Sequence, residues 1–318
     1  IAGPHRMGKF AAESPPPPPA PPPVTMGCGQ AVDSATQVVP TSTATRPALL
    51  QGYVDQDMGA CVRRITDVTA LGVNDPVHDY SELQAWNADM SKILLQNGGI
   101  INATTGAVVH TLDFGYPEVG RGLRWSPIDS NMLYYLGQKV GAQATWLTGC
   151  ADAAARLMKY VLPAGTRTLV ACFPEYVKFD GNRSFQSMSG NGRYIALVGS
   201  PRNGAACEGT TACEVFLYDL TTMAKVAFLS VPAGVYIEWV EPSPSGDYLL
   251  VNYGQGGECE RCGVVSYNLA GVRVGQLATG HGHGSTALAP DSSQWYVFDA
   301  LSTSFAPGGN QPQIVKAR

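Results

Sequence analysis

The chain has 318 residues, 45% of them hydrophobic and 14% charged, with 36 Gly, 23 Pro and a formal net charge of −4. This is neither a disordered nor a membrane composition, and without a basic surplus nucleic acid is not an expected partner. No apolar run reaches the roughly 18–20 residues that a bilayer-spanning helix needs, so no membrane span is expected.

The first feature in chain order is the run SPPPPPAPPP at residues 14–23, which holds eight of the 23 prolines. Fixed φ and missing N–H groups forbid helix and sheet ladders there and leave an extended polyproline II arm. At about 3.1 Å per residue it reaches roughly 30 Å. Residues 24–50, rich in Thr, Ser, Val and Ala, connect it to the body, so the expected division is 1–50 arm and linker and 51–318 a single β domain. The run resembles the Ser-Pro repeats of the extensins and pherophorins, hydroxyproline-rich glycoproteins of plant and green-algal matrices. That resemblance implies hydroxylation and O-linked sugars on Pro15, Pro16, Pro17, Pro18, Pro19, Pro21, Pro22 and Pro23, with Ser14 a further O-linked position. A rigid spacer and a docking ligand for a proline-binding domain are the other readings of the same residues.

Beyond residue 50 only 151–160 has the composition of a helical turn. A polar turn followed by an apolar strand recurs instead, as WNADMSKILL (86–95), WSPIDSNMLYYL (125–136), MSGNGRYIALV (188–198), PSPSGDYLLV (242–251) and LAPDSSQWYVF (288–298). A hairpin pattern follows in three modules, at 100–112, 217–229 and 266–277. One module is thus four antiparallel strands, and stacking such sheets radially buries both faces of each. The turns resemble those of WD-repeat-like propeller blades. The expected fold is all-β, a β-propeller with about five visible four-stranded blades, and a β-sandwich is the rival. The last module ends in its third strand at Ile314-Val315. Either residues 61–66 supply the missing edge and close a ring or the chain is cut short, and a ring of six or seven blades needs more sequence or a degenerate blade within 137–187.

The eight cysteines, Cys28, Cys61, Cys150, Cys172, Cys207, Cys213, Cys259 and Cys262, are even in number and favour disulfides in an oxidising compartment. Neighbour pairing gives 28–61, 150–172, 207–213 and 259–262, although spacing alone does not fix connectivity. A zinc or redox role is the other reading of Cys259-Glu-Arg-Cys262, and zinc would want a second such pair. Sequons at Asn102 and Asn182 mark candidate N-glycosylation sites and point the same way. The sequence opens on Ile1 without an apolar leader, as expected of a processed or partial form of a secreted protein.

No nucleophile motif, dinucleotide fingerprint or phosphate loop is present in the sequence. His78, in DPVHDYSELQAW, and His281 and His283, in GHGHG, each precede the first strand of a module. In a propeller such positions converge near the axis, so the three are the candidate ligands of a divalent metal, and no other cofactor is expected. Their placing is similar to that in metal-bearing propeller lyases that cleave pectin fragments. Two carboxylate pairs, Glu238 with Glu241 and Asp113 with Glu118, lack a fold-independent reason to meet. Trp86, Trp125, Trp239 and Trp295 recur as candidates for packing between blades. The leading expectation is an extracellular structural or adhesive glycoprotein that self-assembles into a matrix or surface fibre through its arm, with itself and glycans as partners. The alternative is a polysaccharide-binding or metal-dependent polysaccharide lyase propeller.

Overall fold

The computed structural model describes residues 47–54, 61–67, 77–78, 83–96, 98–112, 122–137, 150, 155–180, 188–201, 212–280, 283–289, 291–299 and 312–317. The arm at 14–23 and with it the hydroxyproline positions, Asn182, His281, Asp113, Glu118, Cys28 and Cys207 lie outside these residues.

A short hairpin comes first, β1 (Gly52–Val54) paired with β2 (Cys61–Arg63). The first sheet follows, β3 (Lys92–Leu94), β4 (Gly99–Asn102) and β5 (Val108–Thr111), with Trp86 bridging to Ile93 on its inner side. The second sheet is β6 (Arg124–Trp125), β7 (Met132–Gly137), β8 (Ala155–Val161) and β9 (Thr166–Phe173). The third is β10 (Tyr176–Phe179), β11 (Tyr194–Pro201), β12 (Cys213–Asp219) and β13 (Ala224–Val231). The fourth is β14 (Ile237–Pro242), β15 (Tyr248–Tyr253), β16 (Gly263–Asn268) and β17 (Arg273–Ala278). The fifth is β18 (Gly284–Leu288), β19 (Gln294–Asp299) and β20 (Pro312–Ala317). Every sheet runs antiparallel in sequence order, as the repeated module predicts.

The second strands show why the apolar runs are continuous. Side chains alternate between strand faces, and here both faces meet another sheet. Leu133 and Tyr135 of β7 pack with Leu94 and Ile100 of the first sheet, while Tyr134 and Leu136 pack with Ile195, Leu197 and Phe216 of the third. On β11, Tyr194, Ala196 and Val198 turn the other way, onto Leu249, Val251 and Tyr253 of the fourth. Trp239, Leu250 and Tyr296 join the fourth sheet to the fifth. Leu83, from the segment that leads into the first sheet, packs on that same cluster and ties the start of the domain to its last sheets.

The first turns link the sheets along one face. The Asn87 side-chain amide donates to the Ser130 carbonyl at 2.9 Å, and that of Asn191 donates to the Ser245 carbonyl at 3.1 Å. Ile128 lies over Gly192, and the Ser245 amide donates to Gln294 Oε1 at 3.2 Å. Each turn is therefore held by its neighbour as well as by its own sheet. Asp219 anchors the third sheet: Arg193 Nε donates to both carboxylate oxygens at 3.0 Å, and Nη2 to Oδ2 at 2.6 Å. These bonds hold the Asp219 carboxyl well below the usual carboxylate range.

Three expectations are corrected. Residues 155–160 form strand, not helix: β8 sits between β7 and β9, and its ladder outweighs the helix-forming composition of ARLMKY. The described residues of 137–187 form no extra blade: β8, β9 and β10 complete the second sheet and begin the third. Cys61–Arg63 does not supply an edge to the fifth sheet; it pairs with Gly52–Val54, and the following Ile65 packs on Ile93, Leu95 and Ile101 of the first sheet. The fifth sheet does end in its third strand, at β20.

Candidate functional site

Antiparallel order within each sheet divides the molecule into two faces. First-to-second and third-to-fourth turns lie on one. Second-to-third connections and the crossings between sheets lie on the other, and among the described residues these include the connection 254–262. Long connections on a rigid scaffold are where binding groups are placed, and 254–262 is such a connection.

Two concavities there adjoin each other around the connection 254–262. One, of about 360 Å³, is lined by Val235, Tyr236, Gln255, Cys259, Glu260 and Arg261. The other, of about 380 Å³, is lined by Glu258, Cys259, Glu260, Arg273 and Gln276. The loop between them is closed by the Cys259–Cys262 disulfide. The Gln276 side-chain amide donates to the Gly257 and Cys262 carbonyls, both at 2.8 Å. The Gly257 amide donates to the Thr279 carbonyl at 2.8 Å, and that of Gly263 to the Gln255 carbonyl at 2.7 Å. Gly263 has φ +59°, and a Cβ there would run into the Ala278 carbonyl, so this turn back into β16 requires glycine. Beneath the loop the Tyr253 and Tyr267 hydroxyls bond each other at 2.8 Å, and burial pushes both phenols above the ordinary tyrosine range. A rigid floor thus carries a rim of two arginines, two carboxylates, two amides and Tyr236, of which Arg261 and Gln276 are half-buried and the rest exposed.

The structure places the predicted residues as follows. His78 and His283 are both exposed and lie at the approaches to the first and fifth sheets. Gly284, which follows His283, abuts the Tyr296 hydroxyl, and Leu83, five residues after His78, packs on the cluster that contains Tyr296. The two approaches therefore share a cluster. Among the described residues no group of three or more His, Cys, Asp and Glu side chains is arranged to hold a metal ion, and His281 lies outside them. Glu241 is fully buried on β14, whereas Glu238 is half-buried at the bulge between Ile237 and Trp239. Trp125 and Trp239 pack between sheets, with Trp125 Nε1 donating to the Ala85 carbonyl at 2.9 Å. Trp86 is 39% exposed and Trp295 half-buried.

Cys150–Cys172 and Cys259–Cys262 are disulfides, as neighbour pairing gives, and Cys61 and Cys213 are also bonded. Asn102 Oδ1 accepts from the Thr104 and Thr105 amides at 2.9 and 2.8 Å, forming the β4–β5 turn. Sequence reasoning missed the rim. Tyr236, Arg273 and Gln276 come from two elements flanking the disulfide loop and form no linear motif. It also missed a cationic box in the third sheet. Lys225 Nζ stands 4.3 Å from the Tyr176 ring centroid and 4.9 Å from that of Phe216, paired with Glu175. Because the chain's own lysine fills that box, it stabilises the sheet and leaves no seat for a ligand.

No family model matches the chain, and no curated protein does. Solved structures do. An oligogalacturonate lyase in complex with manganese is similar at a TM-score of 0.51 and 17% identity, over 84% of this chain and 69% of that one. An oligogalacturonate lyase from Vibrio parahaemolyticus is similar at 0.52 and 14%, over 84% and 68%. At such identity the likeness establishes the fold: the body is a β-propeller. It does not single out the WD-repeat class among propellers.

Proposed function

We propose that this chain is a secreted, adhesive propeller that binds acidic polysaccharide on its long-connection face. The observation that carries this reading is the pair of adjoining concavities around the Cys259–Cys262 loop. Arg261 and Arg273 offer charge-assisted donors to uronate carboxylates. Glu258, Glu260 and the Gln276 carbonyl oxygen offer acceptors to sugar hydroxyls, Gln255 offers an acceptor and donors, and Tyr236 offers an apolar face for a ring. The cystine staple and the two Gln276 bonds fix the rim before a ligand arrives, which lowers the ordering cost of binding. The likeness to two structures named as oligogalacturonate lyases supports the choice of an acidic sugar class.

The experiment is calorimetric titration of the protein with oligogalacturonate and with a neutral oligosaccharide of equal length. Binding of the acidic chain alone, weakened by Arg273→Ala and by added salt, supports the proposal. Equal binding of both sugars, or of neither, rejects it. Release of unsaturated, ultraviolet-absorbing ends from the acidic chain would extend the reading from binding to cleavage.

Self-assembly through the proline-rich arm is a second reading. Its favouring observation is the fifth sheet, whose outer strand β20 has no further partner among the described strands. An open edge of this kind accepts a strand from another chain; residues 24–50, rich in Thr, Ser and Val, would supply it, because the prolines of 14–23 cannot join a ladder.

A further inference from the structure

The two described disulfides differ in a way that bears on chemistry. Cys150–Cys172 closes a separation of 22 residues, and both cysteines are half-buried. Cys259–Cys262 closes a separation of three. Its two sulfurs are not equivalent, for Cys259 is exposed and lines both concavities, whereas Cys262 is 2% exposed. Thiol–disulfide exchange needs an attackable sulfur, a leaving sulfur, and cationic surroundings that favour thiolate. Arg261 lies between the cysteines in sequence and Arg273 lines a concavity with Cys259. Glu258 and Glu260 stand on the same rim, so the site carries both signs.

We propose that Cys259–Cys262 is an exchangeable, redox-active disulfide with Cys259 as the attacked sulfur, while Cys150–Cys172 is a structural staple. A thiolate of an external dithiol attacks Cys259 Sγ. The Cys259–Cys262 bond breaks, its electron pair goes to Cys262 Sγ, and that thiolate takes up a proton. The second thiolate of the dithiol then attacks its own sulfur in the mixed disulfide and releases Cys259. In sum, two electrons pass from the dithiol to the cystine, the dithiol becomes a disulfide, and its two protons end on the cysteines. The loop is pinned apart from the cystine, by Gln276 to Gly257 and Cys262 and by the Gly257 and Gly263 backbone bonds. Reduction therefore leaves the thiols close together and the reaction reversible. This chemistry does not depend on the chain binding a polysaccharide.

The test equilibrates intact protein with graded dithiothreitol, quenches with an alkylating agent and maps the modified cysteines by peptide mass. Cys259 and Cys262 should be modified at about ten-fold lower dithiothreitol than Cys150 and Cys172. The order of attack is read with single variants and an aromatic disulfide reagent. Cys259, left alone in Cys262→Ser, should react about ten-fold faster than Cys262 left alone in Cys259→Ser. Opening of all the disulfides at one reductant concentration overturns the proposal, as does equal reactivity of the two single thiols.

Discussion

Replacing Asp219 by Asn removes one charge and little else, which makes it a sharp probe of how the third sheet is held. The carboxylate accepts three contacts from Arg193, while Oδ1 also accepts from the Thr221 and Thr222 amides at 2.9 and 3.3 Å to shape the β12–β13 turn. An asparagine oxygen can keep the turn bonds but not the ion pair. Bonds to a charged group are worth about 1.5–3 kcal/mol. Asp219 is 2% exposed, but the Arg193 side chain is 43% exposed, and water screens such a pair. Asp219→Asn should therefore destabilise by roughly 1–2 kcal/mol at pH 7, and Asp219→Ala by about 1 kcal/mol more as the turn bonds go. The folded pKa is depressed, so the stabilisation is complete above the unfolded value of about 3.9. It is lost as pH falls below that value towards the folded one. Urea unfolding of wild type and Asp219→Asn from pH 7 down to pH 2 should show the gap closing below about pH 4. A gap that stays constant across that range, or no gap at pH 7, would refute the reasoning.

Trp239→Ala should destabilise by about 3–5 kcal/mol in the same assay, because its wholly buried ring bridges the fourth and fifth sheets against Tyr296 with centroids 5.6 Å apart. Deleting residues 1–30 together with Cys61→Ser, which removes the thiol that the expected 28–61 pairing would leave free, should leave a folded monomer in sedimentation, while the full chain from the same host self-associates. Identical monomers at high concentration would end the fibre reading. The metal expectation at His78, His281 and His283 is checked by elemental analysis: a stoichiometric cation should be lost in His283→Ala, and metal-free wild type after soaking would remove it.

Much of the fold is legible in the chain because a blade buries both faces of its second strand. Leu133 to Leu136, Tyr194 to Val198 and Leu249 to Val251 read as unbroken apolar runs, and the Ser, Asn and Asp turns before them mark the register. The β8–β9 hairpin was not legible. ARLMKYV is built of helix formers, and its wholly buried Arg156 gives no apolar signal, so pairing with β7 and β9 decides its conformation. The same limit hides the candidate rim. The cysteine pair at 259 and 262 stands out in sequence, but Tyr236, Arg273 and Gln276 reach it only because β14 and β17 flank the disulfide loop.

The central claim is that ligand meets the long-connection face at the disulfide loop. Hydrogen exchange of the protein with and without saturating oligogalacturonate tests it most directly, since bound sugar slows exchange of the amides it covers. The account predicts added protection in residues 235–236, 255–263 and 273–276, with none in the opposite-face turns at 189–193 and 243–247. Protection confined to those turns, or no protection at saturation, would contradict it.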